Sequence, residues 1–213
     1  MAARLILNAD DFGLTRGINR AVAGLYAAGA LTSATLMANG PAFDDAVAVA
    51  HAHPGLGVGC HIVLTDGTPV SPPDHIPTLL GKERRNFRTS LIDFVRDLWL
   101  GRIDPAEIEH EALAQIQKLQ RAGIDVTHLD THKHTHIFPP VARELHRIVR
   151  ITSVATMRNP FEPYFTRRAS HATLSIGVQM FALDRFRHRF NKIARNSKRK
   201  SVTTEEWSHF WAH

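Results

Sequence analysis

Short apolar runs alternate along this chain with segments whose apolar residues recur at helical spacing. Arg4 to Ala9 carries the run Leu5-Ile6-Leu7 and predicts a buried strand that ends on acidic residues. Ile18, Val22, Leu25 and Tyr26 then recur at helical spacing, with Gly29 as a stop. Leu31 to Ala38 is β-prone and leads into an Asn39-Gly40 turn. Pro41 opens a helix through Ala50, closed by Pro54-Gly55. Val58 to Leu64 reads as a third strand.

Thr65 to Phe87 is rich in Pro, Gly and charge and predicts a long loop or lid. Helices follow over Ser90 to Leu100 and Pro105 to Ala122, the second with Ile108, Ala112, Ile116 and Leu119 on one face. Val126 to His132 alternates as a strand. A helix from Pro139 through Val149 and a short strand over Ile151 to Thr156 complete the series. The order is β-α-β-α-β-loop-α-α-β-α-β, which implies an α/β fold with a mostly parallel sheet, as a barrel or an open layer. In such folds chemistry collects at the carboxyl ends of the strands.

Composition narrows the chemistry. The 213 residues are 44% hydrophobic and 22% charged, as in a globular domain, with no apolar stretch long enough to span a membrane. Arg4-Leu5-Ile6-Leu7 is too short for a signal peptide's apolar region, so a cytoplasmic location is expected. The single cysteine, Cys60, excludes an internal disulfide and a cysteine-based metal cluster, leaving His, Asp and Glu as metal donors. The formal charge of +6 gathers late, in Arg185 to Lys200. With little aromatic interleaving, that run reads as a solvated face or tail rather than a nucleic-acid contact.

Three places carry candidate chemistry. In Asn8-Ala9-Asp10-Asp11-Phe12-Gly13, two adjacent carboxylates stand at a strand end. They could share the field of a cation, one as ligand and one facing water, or cap the following helix. His61 lies within the apolar strand Gly57 to Leu64. Alone it reads as a hydrogen-bonded core histidine, and it gains weight only through partners. The third place, Thr127 to His136, puts His128, Asp130, His132, His134 and His136 at one parity. While the chain stays extended, four imidazoles and a carboxylate share one face, a pattern expected of a metal or catalytic site. Steric limits allow two or three of them as ligands, leaving the rest to orient ligands or touch substrate.

At these residues the chain resembles the YdjC-type carbohydrate deacetylases, a family that includes chitooligosaccharide deacetylases and hopanoid-associated relatives. The resemblance rests on Asn-Ala-Asp-Asp-Phe-Gly, on Gly-Cys-His-Ile-Val-Leu-Thr-Asp-Gly around His61, and on Thr-His-Leu-Asp-Thr-His-Lys-His-Thr-His-Ile-Phe-Pro. It implies a deformed (β/α) barrel with parallel strands; with no domain boundary visible, residues 1–213 read as a single domain, and the departure at its far end leaves that barrel incomplete at the C-terminus. It implies removal of an acetyl group from an N-acetylated sugar. Asp11, His61 and His132 carry over as metal ligands and Asp10 as base. Magnesium is the family's usual ion, while the two nitrogen donors also suit zinc. Such proteins typically continue into further strands, one bearing a Glu-Leu-Met-x-His-Pro-like segment. No such segment is found here, and residues 196–213 form an atypical basic and aromatic tail, read as truncation, frameshift or divergence.

The reading therefore expects Asp10 as base, His134 or His136 as proton donor to the leaving amine, and His128 and Asp130 behind the ligands or against substrate. Lys133 falls out of the parity and is expected at the surface or in an ion pair. Two rivals remain: a two-metal phosphoesterase, and a sugar-binding relative without turnover. A homodimer is compatible with the sequence.

Overall fold

A computed structural model describes residues 6–154, 156–159, 186–189, 192 and 193. Arg4, Leu5, most of the basic run from Arg185 to Lys200 and the tail over 196–213 lie outside the described residues. Five strands, β1 (Asn8–Phe12), β2 (Ser33–Leu36), β3 (Gly57–Ile62), β4 (Val126–Thr131) and β5 (Thr156–Met157), form one parallel sheet in chain order. Helices α1 (Arg16–Ala27), α2 (Phe43–Ala52), α3 (Leu91–Trp99), α4 (Pro105–Arg121) and α5 (Pro139–Ile151) occupy the crossovers. The predicted order holds element for element. Among the described residues no helix is long and apolar enough to cross a membrane.

Local chemistry sets the helix boundaries. Thr15 and Ser90 cap α1 and α3 through their side-chain oxygens, and Asp104 followed by Pro105 starts α4. The face predicted for α4 is the buried one, with Ile108, Ala112, Ile116 and Leu119 in the core. On α1 the expected stripe is displaced. Leu25 is exposed and Asn19 is buried, because its side chain accepts from the Gly13 N–H at 2.8 Å and donates to the Ala42 carbonyl and Asp45. The strand expected over Ile151 to Thr156 is also displaced: α5 continues to Ile151, and pairing with β4 begins only at Thr156.

The sheet is curved. Among the described residues its edges are β1 and β5, yet Arg158, just past β5, bonds to Asp10 on β1. Across the same interior His128 on β4 reaches Asn8 on β1 at 3.3 Å, and Thr35 on β2 donates to Asp130 on β4 at 3.1 Å. Non-neighbouring strands can meet this way only if the sheet rolls toward a barrel. The roll leaves little room at the inner wall. A Cβ on Gly59 would lie 2.6 Å from His128 Nε2, so the glycine makes space for that ring.

The segment over residues 65–87 is the long connection expected, with a short 3-10 turn at Pro73–His75. Two carboxylates of α4 hold it down. Glu111 accepts from the Val70 and Ser71 N–H groups, and Glu107 from those of Thr78 and Leu79. Backbone donors, joined at Glu111 by the Gln115 side chain, satisfy these charges.

Candidate metal centre

β1 ends in a bulge. Between Ala9 and Phe12 it carries one residue more than the facing stretch Ala34 to Leu36 of β2, and Asp11 adopts a left-handed backbone with φ 59°. Adjacent strand residues ordinarily point to opposite faces, and an extra residue breaks that alternation. Both carboxylates therefore reach the same end of the sheet. A left-handed non-glycine residue is uncommon and tends to sit where function fixes the geometry.

His61 comes from the middle of the sheet and is 3% exposed. Its Nδ1 donates to Asp130 Oδ1 at 2.6 Å, which fixes the tautomer and turns Nε2 toward Asp11 Oδ1, 3.2 Å away. Asp130 accepts only, because Thr35 and Arg158 contact its other oxygen. His132, one residue past β4, places Nδ1 3.0 Å from the same Asp11 oxygen. One donor atom from each of Asp11, His61 and His132 lies within 4.8 Å of the others, and these are the three residues the family resemblance implies as ligands. One carboxylate and two imidazoles, one of them oriented by a buried carboxylate, make a set that fits a divalent ion.

The histidine ladder breaks after one further rung. The chain is extended only to Thr131; His132–Ile137 forms a 3-10 turn, with Lys133 and His134 both at φ 52°. His134 is turned out to solvent. His136 is fully buried, its Nδ1 2.5 Å from Thr131 Oγ1, which also accepts the His136 N–H at 3.1 Å. That local bond closes the turn, so His134 and His136 do not share a face with His128 and His132. Lys133 pairs with Asp66 of the long loop at 3.0 Å, the ion-pair role expected of it.

The charges are coupled. Burial opposes a charge on His61, but the Asp130 carboxylate and the hydrogen bonds to Asp11 and Asp130 outweigh it and raise its pKa to about 9. Burial likewise disfavours ionised Asp130, yet His61 beside it brings the pKa down to about 2. The hydrogen bond from His61 lowers Asp11 against the effect of its own partial burial. Burial drives His128 to about 4 and His136 to about 3, so both rings are neutral near pH 7.

These shifts set the pH response of the metal-free chain. The unfolded chain binds protons on His128 and His136 below the ordinary histidine pKa while the fold does not. Each then costs about 1.4 kcal/mol per pH unit as pH falls from 6.5 toward 4. His61 works the other way: its contribution is complete below 6.5 and lost as pH rises through 9. Urea denaturation from pH 4 to 9 is expected to show greatest stability near pH 6.5. A flat profile between pH 4 and 6 would contradict the neutral buried histidines.

Two contributors escaped the sequence reading. Arg158 Nη1 donates to Asp10 Oδ1 at 2.9 Å and Oδ2 at 3.0 Å, and Asn8 Nδ2 donates to Asp10 Oδ1 at 2.8 Å. Parity was the available signal: Asn8 precedes Asp10 by two, and Arg158 follows Thr156 by two at the carboxyl end of a short strand.

Comparison with known proteins gives the family. The model of the family described as YdjC-like protein matches residues 4–212 and so extends into the tail. A carbohydrate deacetylase of Brevibacillus brevis is 43% identical over 138 residues, covering 65% of this chain and 52% of the relative. One of Listeria monocytogenes is 44% identical over 132 residues, covering 61% and 51%. One of Vibrio cholerae is 34% identical over 148 residues, covering 69% and 55%. The chain thus spans about half the length of the curated relatives it matches. A solved structure from Enterococcus faecalis V583, described as a candidate cellobiose-phosphate cleavage protein, aligns with a TM-score of 0.67 at 24% identity, covering 79% of this chain and 63% of its own. That likeness supports the fold alone.

Proposed function

Because the chain belongs to the YdjC-like family, we propose that it is a divalent-metal-dependent carbohydrate deacetylase, hydrolysing the acetamide of an N-acetylated sugar to an amine and acetate. The convergence of Asp11, His61 and His132, with the Asp10 carboxylate beside them, carries the reading. The deacetylase names of the Brevibacillus, Listeria and Vibrio relatives support the substrate class. An ion held by the three residues would polarise the acetyl carbonyl and acidify a water. Zinc suits two imidazoles and one carboxylate better than magnesium, which prefers oxygen donors.

The chain's own residues divide the remaining work. Asp10 takes the proton of the attacking water as the oxygen bonds to the acetyl carbon. The C–N bond then breaks, and the leaving nitrogen needs a proton. Protonated Asp10 can return the one it took. His134 is the exposed imidazole on the turn that carries His132, and it is the ladder residue placed to exchange protons with solvent. His136, buried and neutral, serves the turn and stands back from proton transfer. Asp130 holds His61 in the tautomer that presents Nε2, and His128 packs behind Asn8. Among the described residues one donor triad is assembled, whereas two-metal phosphoester chemistry needs two.

Acetate release from N-acetylglucosamine oligomers tests the proposal. After chelation the chain should be inactive, and stoichiometric zinc, cobalt or magnesium should restore release. Binding of the oligomers with no acetate from any metal-loaded sample would favour the sugar-binding rival and overturn catalysis.

A further inference from the structure

Asp10 and Asp11 are neighbours on the same bulge, yet only Asp11 belongs to the donor triad. A cation bound there with three protein ligands would draw any second carboxylate within reach. Asp10 stands beside the triad: Arg158 Nη1 contacts both Asp10 and Asp130, the carboxylate that holds His61. Something must keep it out of the coordination shell if it is to act as a base.

We infer that Arg158 is a positioning residue that holds the Asp10 carboxylate off the metal. The inference rests on the metal-site reading above. One guanidinium nitrogen spans both Asp10 oxygens, at 2.9 and 3.0 Å, while Asn8 Nδ2 donates to Oδ1 as well, at 2.8 Å. Both oxygens are thus engaged by partners outside the donor triad. Arg158 is anchored in turn. Its backbone N–H donates to the Leu129 carbonyl at 2.8 Å, continuing the β5 pairing, and Nη1 lies 3.5 Å from Asp130 Oδ2. The other oxygen of Asp130 holds His61. A single buried carboxylate therefore orients a metal ligand with one oxygen and the tether of the base with the other.

Cobalt supplies a readout that does not depend on turnover. The visible spectrum and Co2+ affinity would be compared for the unmodified chain, Arg158→Ala, Arg158→Lys, Asp10→Asn and the Arg158→Ala/Asp10→Asn double variant. Freed Asp10 adds an anionic ligand, so Arg158→Ala should bind Co2+ more tightly, on the order of tenfold, with a band weakened by the higher coordination number. The double variant should return to the spectrum of the unmodified chain, and Arg158→Lys should lie close to it. A purely structural role would instead lower affinity alike in Arg158→Ala and in the double variant. That result, or an Arg158→Ala spectrum identical to the unmodified one, overturns the inference while leaving the metal site standing. No cobalt binding by the unmodified chain overturns both.

Discussion

Asp10→Asn is expected to lower kcat for acetate release by roughly 10²–10⁴-fold, the range a positioned general base contributes, while the metal stays bound and KM changes little. Asparagine keeps the shape of the side chain, and its carbonyl oxygen can still accept from Arg158 Nη1, which now contacts both carboxylate oxygens. What it loses is the capacity to take a proton. Asp11, His61 and His132 are untouched, so metal content measured on the purified variant should match the unmodified chain. A loss confined to kcat marks an interaction made in the transition state, whereas a rise in KM alone would mark ordinary substrate binding. Retention of more than about a tenth of the activity would remove Asp10 from the base role, since even the lower end of that contribution exceeds tenfold.

The fold and the triad were legible in the sequence for different reasons. Strand and helix order followed from periodicity, because each crossover helix buries one stripe and the inner strands combine β-prone residues with burial on both faces; the buried face of α4 and the burial of β3 are direct expressions of that pattern. His61 could be weighed only through partners, and its partner Asp130 lies 69 residues away on the adjacent strand. Motif resemblance supplied the assignment that spacing left open. Parity misjudged the stretch after Thr131, because it presumes an extended chain, and the Thr131–His136 bond closes a turn there instead. Parity equally gives no warning of the Asp11 bulge, which puts two consecutive side chains at one site. Arg158 was missed because its partner, Asp10, is 148 residues away at the opposite edge of the sheet. Only the curvature of the sheet brings the two together; parity can set Arg158 in step with Thr156 but cannot pair it with Asp10.

Asp130→Ala should show that metal affinity and stability share one residue, where His132→Ala separates them. Asp130 is 1% exposed and contacts His61, Thr35 and Arg158. Its removal strips the nearest charged partner from His61, whose pKa then falls from about 9 because the largest effect opposing burial is gone. Breaking one side of a buried ion pair costs roughly 3–5 kcal/mol, and freeing a ligating imidazole to rotate lowers metal affinity by about 10–100-fold. Denaturant midpoints on the metal-free chain and zinc titration of the folded chain read the two effects independently. His132 is half-buried at the start of an irregular turn, and its ring meets Asp11 and the His61 ring rather than the apolar core. His132→Ala should therefore abolish stoichiometric zinc while moving the metal-free midpoint by less than Asp130→Ala does. Asp130→Asn keeps the volume and one acceptor, so it should recover part of the stability but little of the zinc affinity if the charge on Asp130 is what makes His61 a strong ligand. Equal zinc affinity in Asp130→Asn and the unmodified chain would show instead that the hydrogen bond alone orients His61, and that the negative charge serves the fold and the Arg158 tether.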